Sequence, residues 1–409
     1  MTEILLATLL LTAVVLTLSL LVMAARRIFV PSLPVEITVN GKATIAGTTG
    51  EKLLAILDSA SIPLPSACAG AGTCGLCRVR IADGAGDPLP TERARLDAAE
   101  IRSGLRLACQ VVVRNALAIE VPADILAAER WQCTVVSNTM LAPLIKELVL
   151  QMPAAAAFSF RAGAFVQVSA PAYALDFAQI EVAAPFDRAW RDSAWRGLKV
   201  ASDEPVSRAY SVANRPADTA AGRLVLNVRL AVPPPSVGDE VPPGIVSSYL
   251  FGVRPGGQID VAGPFGDFQV QNTDREMILI AGGVGMAPMR AIIFDELERK
   301  RTQRKMSFWY GARRRSELFY ADEFSELARM HPNFSWTIAL SDPDAADPGP
   351  DAVGFVHEVV YQACLKDHPA PEACEYYLCG PPLMIQAVMA MLENVGVEAD
   401  SIFFDDFGS

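Results

Sequence analysis

From Ile4 to Ala25 the chain runs for 22 residues without a charge or a proline. A helix of that length rises about 33 Å, and a hydrocarbon core is about 30 Å thick, so the pattern predicts a single N-terminal transmembrane helix. The hydroxyls of Thr8, Thr12, Thr17 and Ser19 can turn back on helix carbonyls. Arg26 and Arg27 follow at once, whereas Glu3 is the one charge before the run. That bias places the C-terminal side in the cytoplasm. A cleaved signal peptide would open with a basic stretch and carry a shorter apolar run.

Pro31 and Pro34 end this segment, and from Val35 the period changes to two. Two alternating runs flank Asn40–Gly41, which predicts a hairpin. Glu51–Ala60 reads as a short amphipathic helix, Cys77–Ile81 as a strand, Thr91–Ile101 as a polar helix and Ala116–Val121 as a strand. A second β-rich region starts at Trp131 and runs through Leu224–Val232. Within it, Pro171–Pro205 has no clear period and reads as an inserted loop. From Met277 strands alternate with helices: Pro288–Lys300, Glu317–Met330 and Pro382–Val395 are the predicted helices. Such alternation is the signature of a parallel sheet covered by helices. The expected division is 1–33 anchor and linker, 34–128, 129–272 with an insertion at about 171–205, and 273–409.

Composition narrows the chemistry. Of 409 residues, 51% are apolar and 20% charged, so every region beyond the anchor can bury a core. The net charge of −11 is a poor match to phosphate backbones, and no nucleic-acid partner is expected. The three histidines, His331, His357 and His368, are scattered, which excludes a His-rich zinc site, a Rieske centre and a haem pair. Three of the eight cysteines fall within ten residues, a clustering that points to metal ligation rather than a disulfide frame.

Those three, Cys68, Cys74 and Cys77, are spaced C-x5-C-x2-C, and Cys109 follows 32 residues on. Glycines at 70, 72 and 75 let the backbone wrap closely and leave N–H groups to donate to sulfur. Four thiolates of this kind suit a [2Fe–2S] cluster; a zinc site is the competing assignment, although only one C-x2-C knuckle is present. Cys133, Cys364 and Cys374 have no such neighbours and read as small buried residues.

Two further motifs bear on cofactors. In Arg208-Ala-Tyr210-Ser211, Arg208 and Tyr210 share one strand face, where a guanidinium can hold a diphosphate and a ring can stack on a planar group. A plain core strand would read the same way. Gly244, followed by Ser247 and Ser248 at a helix start, offers an anion site. Gly282, Gly283 and Gly285 follow a strand and open a helix, as a nucleotide diphosphate requires, although a tight structural turn needs the same residues. Cys379, Gly380 and Pro381 end a later strand, the place where open α/β sheets bind ligands, although a plain buried thiol is the alternative for Cys379. Arg313, Arg314 and Arg315 could contact a phosphate or lie solvated on a loop, so the run leaves the choice between NADH and NADPH open.

The cysteine block resembles a β-grasp ferredoxin, with one residue more between its first two ligands than the plant-type spacing. The two later regions resemble the ferredoxin-NADP reductase family: an antiparallel β-barrel for FAD and a Rossmann-like α/β domain for the nicotinamide coenzyme. That resemblance implies Arg208, Gly244, Ser247 and Ser248 at the FAD diphosphate, Tyr210 and Ser211 at the flavin ring, and Cys379 near the nicotinamide. It also implies a terminal aromatic against the flavin, for which Phe407 is the candidate, with a docked β-edge as the bland reading. The order of all four parts resembles the F subunits of the sodium-pumping NADH:quinone reductases of bacteria. This implies cluster ligands Cys68, Cys74, Cys77 and Cys109, NADH as donor, ubiquinone reached through partners, and integral-membrane partner subunits in the inner membrane. The reductase component of an oxygenase shares three of the four parts, and a non-catalytic tethered electron-carrier module is an alternative of another class.

Overall fold

The computed structural model describes residues 8–19, 21, 32–66, 68, 70–82, 84–154, 156, 158–234, 241–344 and 352–406. Two compact units divide the chain: Met1–Leu64 with Gly70–Leu126, and Pro65–Ala69 with Ala127–Ser409.

Residues 8–19 are helical. Thr12 Oγ1 donates to the Thr8 carbonyl and Thr17 Oγ1 to the Ala13 carbonyl, both at 2.7 Å, so these hydroxyls are satisfied within the helix as expected. Leu9, Leu10, Leu11 and Leu16 point outward and are exposed. Among the described residues no helix is long and apolar enough to cross a membrane. Positions 4–7, 20 and 22–25 of the predicted span lie outside the described residues.

The first unit is a mixed sheet of β1 (Pro34–Val39), β2 (Ala43–Thr48), β3 (Arg78–Ile81), β4 (Leu105–Leu107) and β5 (Leu117–Glu120), in the order β2-β1-β5-β3-β4. The predicted hairpin forms, with Asn40 and Gly41 both at positive φ (52° and 64°) at the centre of a turn that the Lys42 N–H closes on the Val39 carbonyl at 3.1 Å. β5 runs parallel to β1, and the Asn40 side chain closes the pair by hydrogen bonds to both backbone groups of Val121. The helix Leu53–Ser59 lays Leu53, Ile56 and Leu57 on the sheet. The polar helix predicted over 91–101 is two short ones, Pro90–Arg93 and Ala98–Arg102. Glu92 turns inward to a buried ion pair with Arg106 (2.8 Å), and Asp97 caps a fresh start by accepting from the Ala99 and Glu100 N–H groups.

The second unit begins with β6 (Glu129–Ala142), β7 (Ile145–Gln151), β8 (Phe165–Ala170), β9 (Tyr173–Asp176), β10 (Lys199–Ser202), β11 (Val206–Ser211), β12 (Arg223–Arg229) and β13 (Gln258–Phe265). Six of these form an antiparallel sheet in the order β11-β8-β13-β6-β7-β12. A bridge between Val212 and Leu226 joins the two outer strands and closes a barrel around Leu148, Val166, Val168, Leu226 and Phe251. The 171–205 stretch corrects the loop expectation. It holds the hairpin β9–β10 and the helix Ala184–Asp192. Phe177 and Trp190 are fully buried, and Trp190 Nε1 donates to the Pro143 carbonyl at 2.7 Å. Phe177, Trp190 and Trp195 pack ring against ring on the barrel core (centroids 6.3 and 5.9 Å), each from a different short element, which is why they show no period.

The chain ends in a parallel sheet of β14 (Met277–Gly282), β15 (Met306–Ala312), β16 (Phe334–Leu340), β17 (Ala352–Val353), β18 (Glu375–Gly380) and β19 (Ile402–Asp406), in the order β17-β16-β15-β14-β18-β19. Every residue of β14 and β18 is buried, as expected of central parallel strands. The chain builds outward from β14 on one side, then crosses back to lay β18 on the other. That makes β14/β18 the topological switch point. The helix after β14 starts at Met286, two residues before the predicted Pro288, and passes into a π-helical turn at Asp295–Arg299. The next one starts at Ala321 rather than Glu317, because Tyr320 takes a left-handed φ of 60° just before it.

Candidate active site and cofactor sites

In the first unit, strand pairing gathers the cysteines. The Ala108 N–H donates to the Cys77 carbonyl at 2.8 Å, which sets Cys109 beside Cys77. Both thiols are buried. A hydrogen bond with Cys109, then burial, then the nearby charges of Cys109 and Cys74 push the Cys77 thiol far above the usual range. Buried thiols set so close together resist joint ionisation unless a metal cation lies among them, so this donor set fits a thiolate-held metal centre. The loop in front supplies the room: Gly70, Gly72 and Gly75 all take positive φ, between 71° and 84°. Arg78 braces it by donating from Nε to the Gly75 carbonyl at 2.9 Å. Cys68 lies on the short 65–69 segment that belongs to the second unit.

In the second unit, Arg208 and Tyr210 share one face of β11, and the helix Ile245–Gly252 packs against that strand. Arg208 makes no ion pair among the described residues and donates only to the Ser207 carbonyl. Ser248 Oγ is buried beside the Tyr173 hydroxyl and lacks a hydrogen-bond partner among the described residues. A charge without a counter-ion, a buried hydroxyl without a partner and the N-terminal amides of a helix suit a diphosphate. Ser247 serves otherwise: its Oγ accepts from Ala231 N–H at 3.2 Å and donates to the Gly244 carbonyl at 3.1 Å, bracing the helix start. Burial raises the Tyr210 hydroxyl well above its ordinary range, so the ring stays neutral.

At the switch point the glycines explain themselves. A Cβ on Gly285 would lie 2.0 Å from the Cys379 carbonyl oxygen, and one on Gly380 would lie 3.0 Å from the Gly282 backbone. Gly283 turns the chain at φ 57°. The loop 282–285 therefore rests directly on the end of β18, with Cys379 fully buried beneath it. Pro381 precedes the helix Pro382–Asn394. Ser211, at the end of the barrel strand, donates to Asp405 Oδ2 at 3.2 Å, and Asp405 stands opposite Cys379 in the β18–β19 register. Three residues from distant parts of the chain thus meet where barrel and parallel sheet touch. Sequence reasoning missed Asp405. The one signal was a charged pair inside an otherwise aromatic terminus. Phe407 lies outside the described residues.

A tie runs beside this junction. Arg290, on the helix after the glycine loop, is 2% exposed, donates to the Ala213 carbonyl at 2.6 Å and forks the Glu323 carboxylate at 2.7 and 2.9 Å.

Two other clusters resolve without a ligand. Arg313 pairs with Glu317 at 2.7 Å and Arg314 with Asp342 at 2.9 Å, so these cations have carboxylate partners. Glu276, His368 and Cys374 also converge, their ligating atoms all within 4.8 Å. The Ala370 N–H donates to His368 Nδ1 at 3.2 Å, so Nε2 keeps the proton and turns it to Glu276 at 3.3 Å. Lys305 neutralises the same carboxylate at 3.0 Å. The three side chains thus find hydrogen-bond or ion-pair partners within the fold.

Comparison with known proteins identifies three domains. Residues 37–114 match the 2Fe-2S iron-sulfur cluster binding domain, 197–270 the oxidoreductase FAD-binding domain and 279–390 the oxidoreductase NAD-binding domain. Among solved structures, the cytochrome P450 reductase GcoB of Amycolatopsis aligns with a TM-score of 0.62 at 25% identity, covering 91% of this chain and 98% of that one. The ferredoxin reductase of carbazole 1,9a-dioxygenase gives 0.58 at 23%, covering 92% and 99%. Fold and sites together define an iron–sulfur flavoprotein oxidoreductase that uses a nicotinamide coenzyme. Two curated relatives narrow this. The F subunit of the Na(+)-translocating NADH-quinone reductase of Neisseria meningitidis is 44% identical over 407 residues, and that of Klebsiella pneumoniae 46% over 409, each covering 99% of this chain and 100% of the relative. The chain belongs to this family, the F subunits of Na(+)-translocating NADH-quinone reductases.

Proposed function

We propose that this chain is the electron-input subunit of a membrane respiratory complex. It oxidises NADH and passes electrons one at a time through a [2Fe–2S] cluster to partner subunits, which reduce ubiquinone and export Na+. The observation that carries the reading is the meeting of Ser211, Asp405 and Cys379 at the switch-point crevice, within one unit that matches FAD- and NAD-binding families. A bound flavin supplies the exchange between a two-electron donor and a one-electron acceptor.

This chain's residues do the rest. Arg208, the helix start at Gly244 and Ser248 hold the flavin diphosphate, Ser247 braces that helix start, and Tyr210 covers the ring. Gly282, Gly283 and Gly285 admit the NADH diphosphate, while Gly380 and Pro381 shape the crevice where Cys379 meets the nicotinamide. Ser211 holds its proton toward Asp405 beside the reacting atoms, and Phe407, two positions further along the chain, is the aromatic assigned to the flavin. Cys68, Cys74, Cys77 and Cys109 ligate the cluster. The carboxylate partners of Arg313 and Arg314 leave them poorly suited to a second phosphate, which supports NADH over NADPH.

The apolar stretch 4–25 is the proposed single-pass anchor, with the remaining domains in the cytoplasm of a bacterial inner membrane. Its support is the outward row of leucines on residues 8–19, which is stable in lipid and costly in water. The test is anaerobic mixing of the full-length, FAD- and cluster-loaded protein with NADH. Flavin bleaching followed by a reduced-cluster EPR signal is expected. A flavin that stays oxidised overturns the reading.

A further inference from the structure

Gln110 directly follows Cys109, and both ends of its carboxamide are engaged. Nε2 lies 3.3 Å from Cys109 Sγ and 3.2 Å from the Gly70 carbonyl, while Oε1 accepts from Thr91 Oγ1 at 3.0 Å. The orientation of the amide follows from those partners. Turned over, its oxygen would face a sulfur and a carbonyl, both acceptors, and two hydrogen bonds would be lost. Gly72 makes the room, since a Cβ there would stand 2.7 Å from Gln110 Cδ and Nε2. Lys52 Nζ reaches the same Gly70 carbonyl at 3.3 Å, so the loop is held from two sides.

We propose that Gln110 sets the reduction potential of the cluster, and that Thr91 is the positioning residue that aims the Gln110 N–H at the Cys109 sulfur. This rests on the reading of Cys109 as a cluster ligand. When one electron arrives from the flavin, the cluster gains one negative charge, and no bond to the protein forms or breaks. An N–H aimed at a ligand sulfur stabilises the more negative state more than the less negative one. Gln110 therefore raises the potential and favours transfer into the cluster. Sequence alone does not reveal the role, because Thr91 and Gln110 are brought together only by the fold.

The test is an EPR-monitored redox titration of the full-length, FAD- and cluster-loaded protein, with iron and acid-labile sulfide measured on each sample. At fixed potential, Gln110→Leu shifts the oxidised-to-reduced ratio about tenfold toward oxidised, which is about 59 mV for a one-electron couple. Thr91→Val shifts it the same way by less. Gln110→Glu, which exchanges a donor for a negative charge, shifts it furthest. A fully loaded Gln110→Leu with the wild-type midpoint overturns the proposal. If Gln110→Leu does not load, Thr91→Val decides, and a wild-type midpoint there overturns it. Wild-type protein that holds neither labile sulfide nor a cluster signal overturns the ligand reading first, and this proposal with it.

Discussion

Ser211 and Asp405 are 194 residues apart in the chain, yet the serine hydroxyl donates to the Asp405 carboxylate at 3.2 Å. The contact joins the outer barrel strand β11 to the last strand of the parallel sheet, where Asp405 stands opposite Cys379. Losing one hydrogen bond to a charged group costs about 1.5–3 kcal/mol. Where that bond orients the reacting groups, this is about a ten- to hundredfold loss of rate. Ser211→Ala and Asp405→Asn should slow NADH-driven flavin bleaching by that factor and leave flavin and cluster content alone. Stopped-flow absorbance measures it, and wild-type rates in both variants would remove the pair from the active site.

Gly285→Ala puts a methyl group where only 2.0 Å separates it from the Cys379 carbonyl. The loop must lift off β18, and overpacking of this kind costs about 1–3 kcal/mol. The expected result is a KM for NADH raised about tenfold or more with FAD retained, read from steady-state NADH oxidation with an artificial acceptor.

Cys74→Ala removes one of the four proposed cluster ligands, in the first unit. Acid-labile sulfide and the cluster EPR signal should disappear while NADH still bleaches the flavin at the wild-type rate. Loss of both signals would contradict the proposed order of the carriers.

The buried pair of Glu92 and Arg106 makes the stability of the first unit depend on acid. Burial alone would raise the Glu92 carboxyl, but hydrogen bonds from Arg106 and from the Leu89 and Leu107 N–H groups, with the Arg106 charge, hold it below its ordinary value of 4.5. A carboxyl depressed in the folded state stabilises fully above that ordinary value, and the contribution is lost as pH falls through the folded one. Glu92→Gln leaves Arg106 buried without a counter-charge and should cost about 3–5 kcal/mol near neutrality. Thermal melts across pH 3–7 should show the wild-type advantage shrinking toward acid. Equal melting temperatures of variant and wild type at pH 7 would refute it.

The parts legible in the sequence are those whose chemistry is local. Cys74 and Cys77 sit three residues apart, Asn40–Gly41 writes its own turn, and Gly283 to Gly285 lie in one loop. Asp405 was not legible, because its partner is supplied by a strand from another sheet. Phe177 and Trp190 were not legible either, since they meet ring to ring from two different short elements and no period results. The arginines at 313 and 314 resemble a phosphate site until Glu317 and Asp342 are seen beside them. The split helix at Glu92 was hidden because its side chain is drawn inward by Arg106, 14 residues further along the chain.

The grip of Arg290 on the Ala213 carbonyl bears on how the coenzyme gets in. Ala213 lies two residues past Ser211, so the helix behind the glycine loop is bolted to the chain that leaves β11. Swinging the parallel sheet outward would break the bond from the Arg290 guanidinium to that carbonyl, worth about 1.5–3 kcal/mol for a charged donor. A hinge is therefore the expensive way to open this enzyme, and entry of the incoming ring falls to small displacements at the rim.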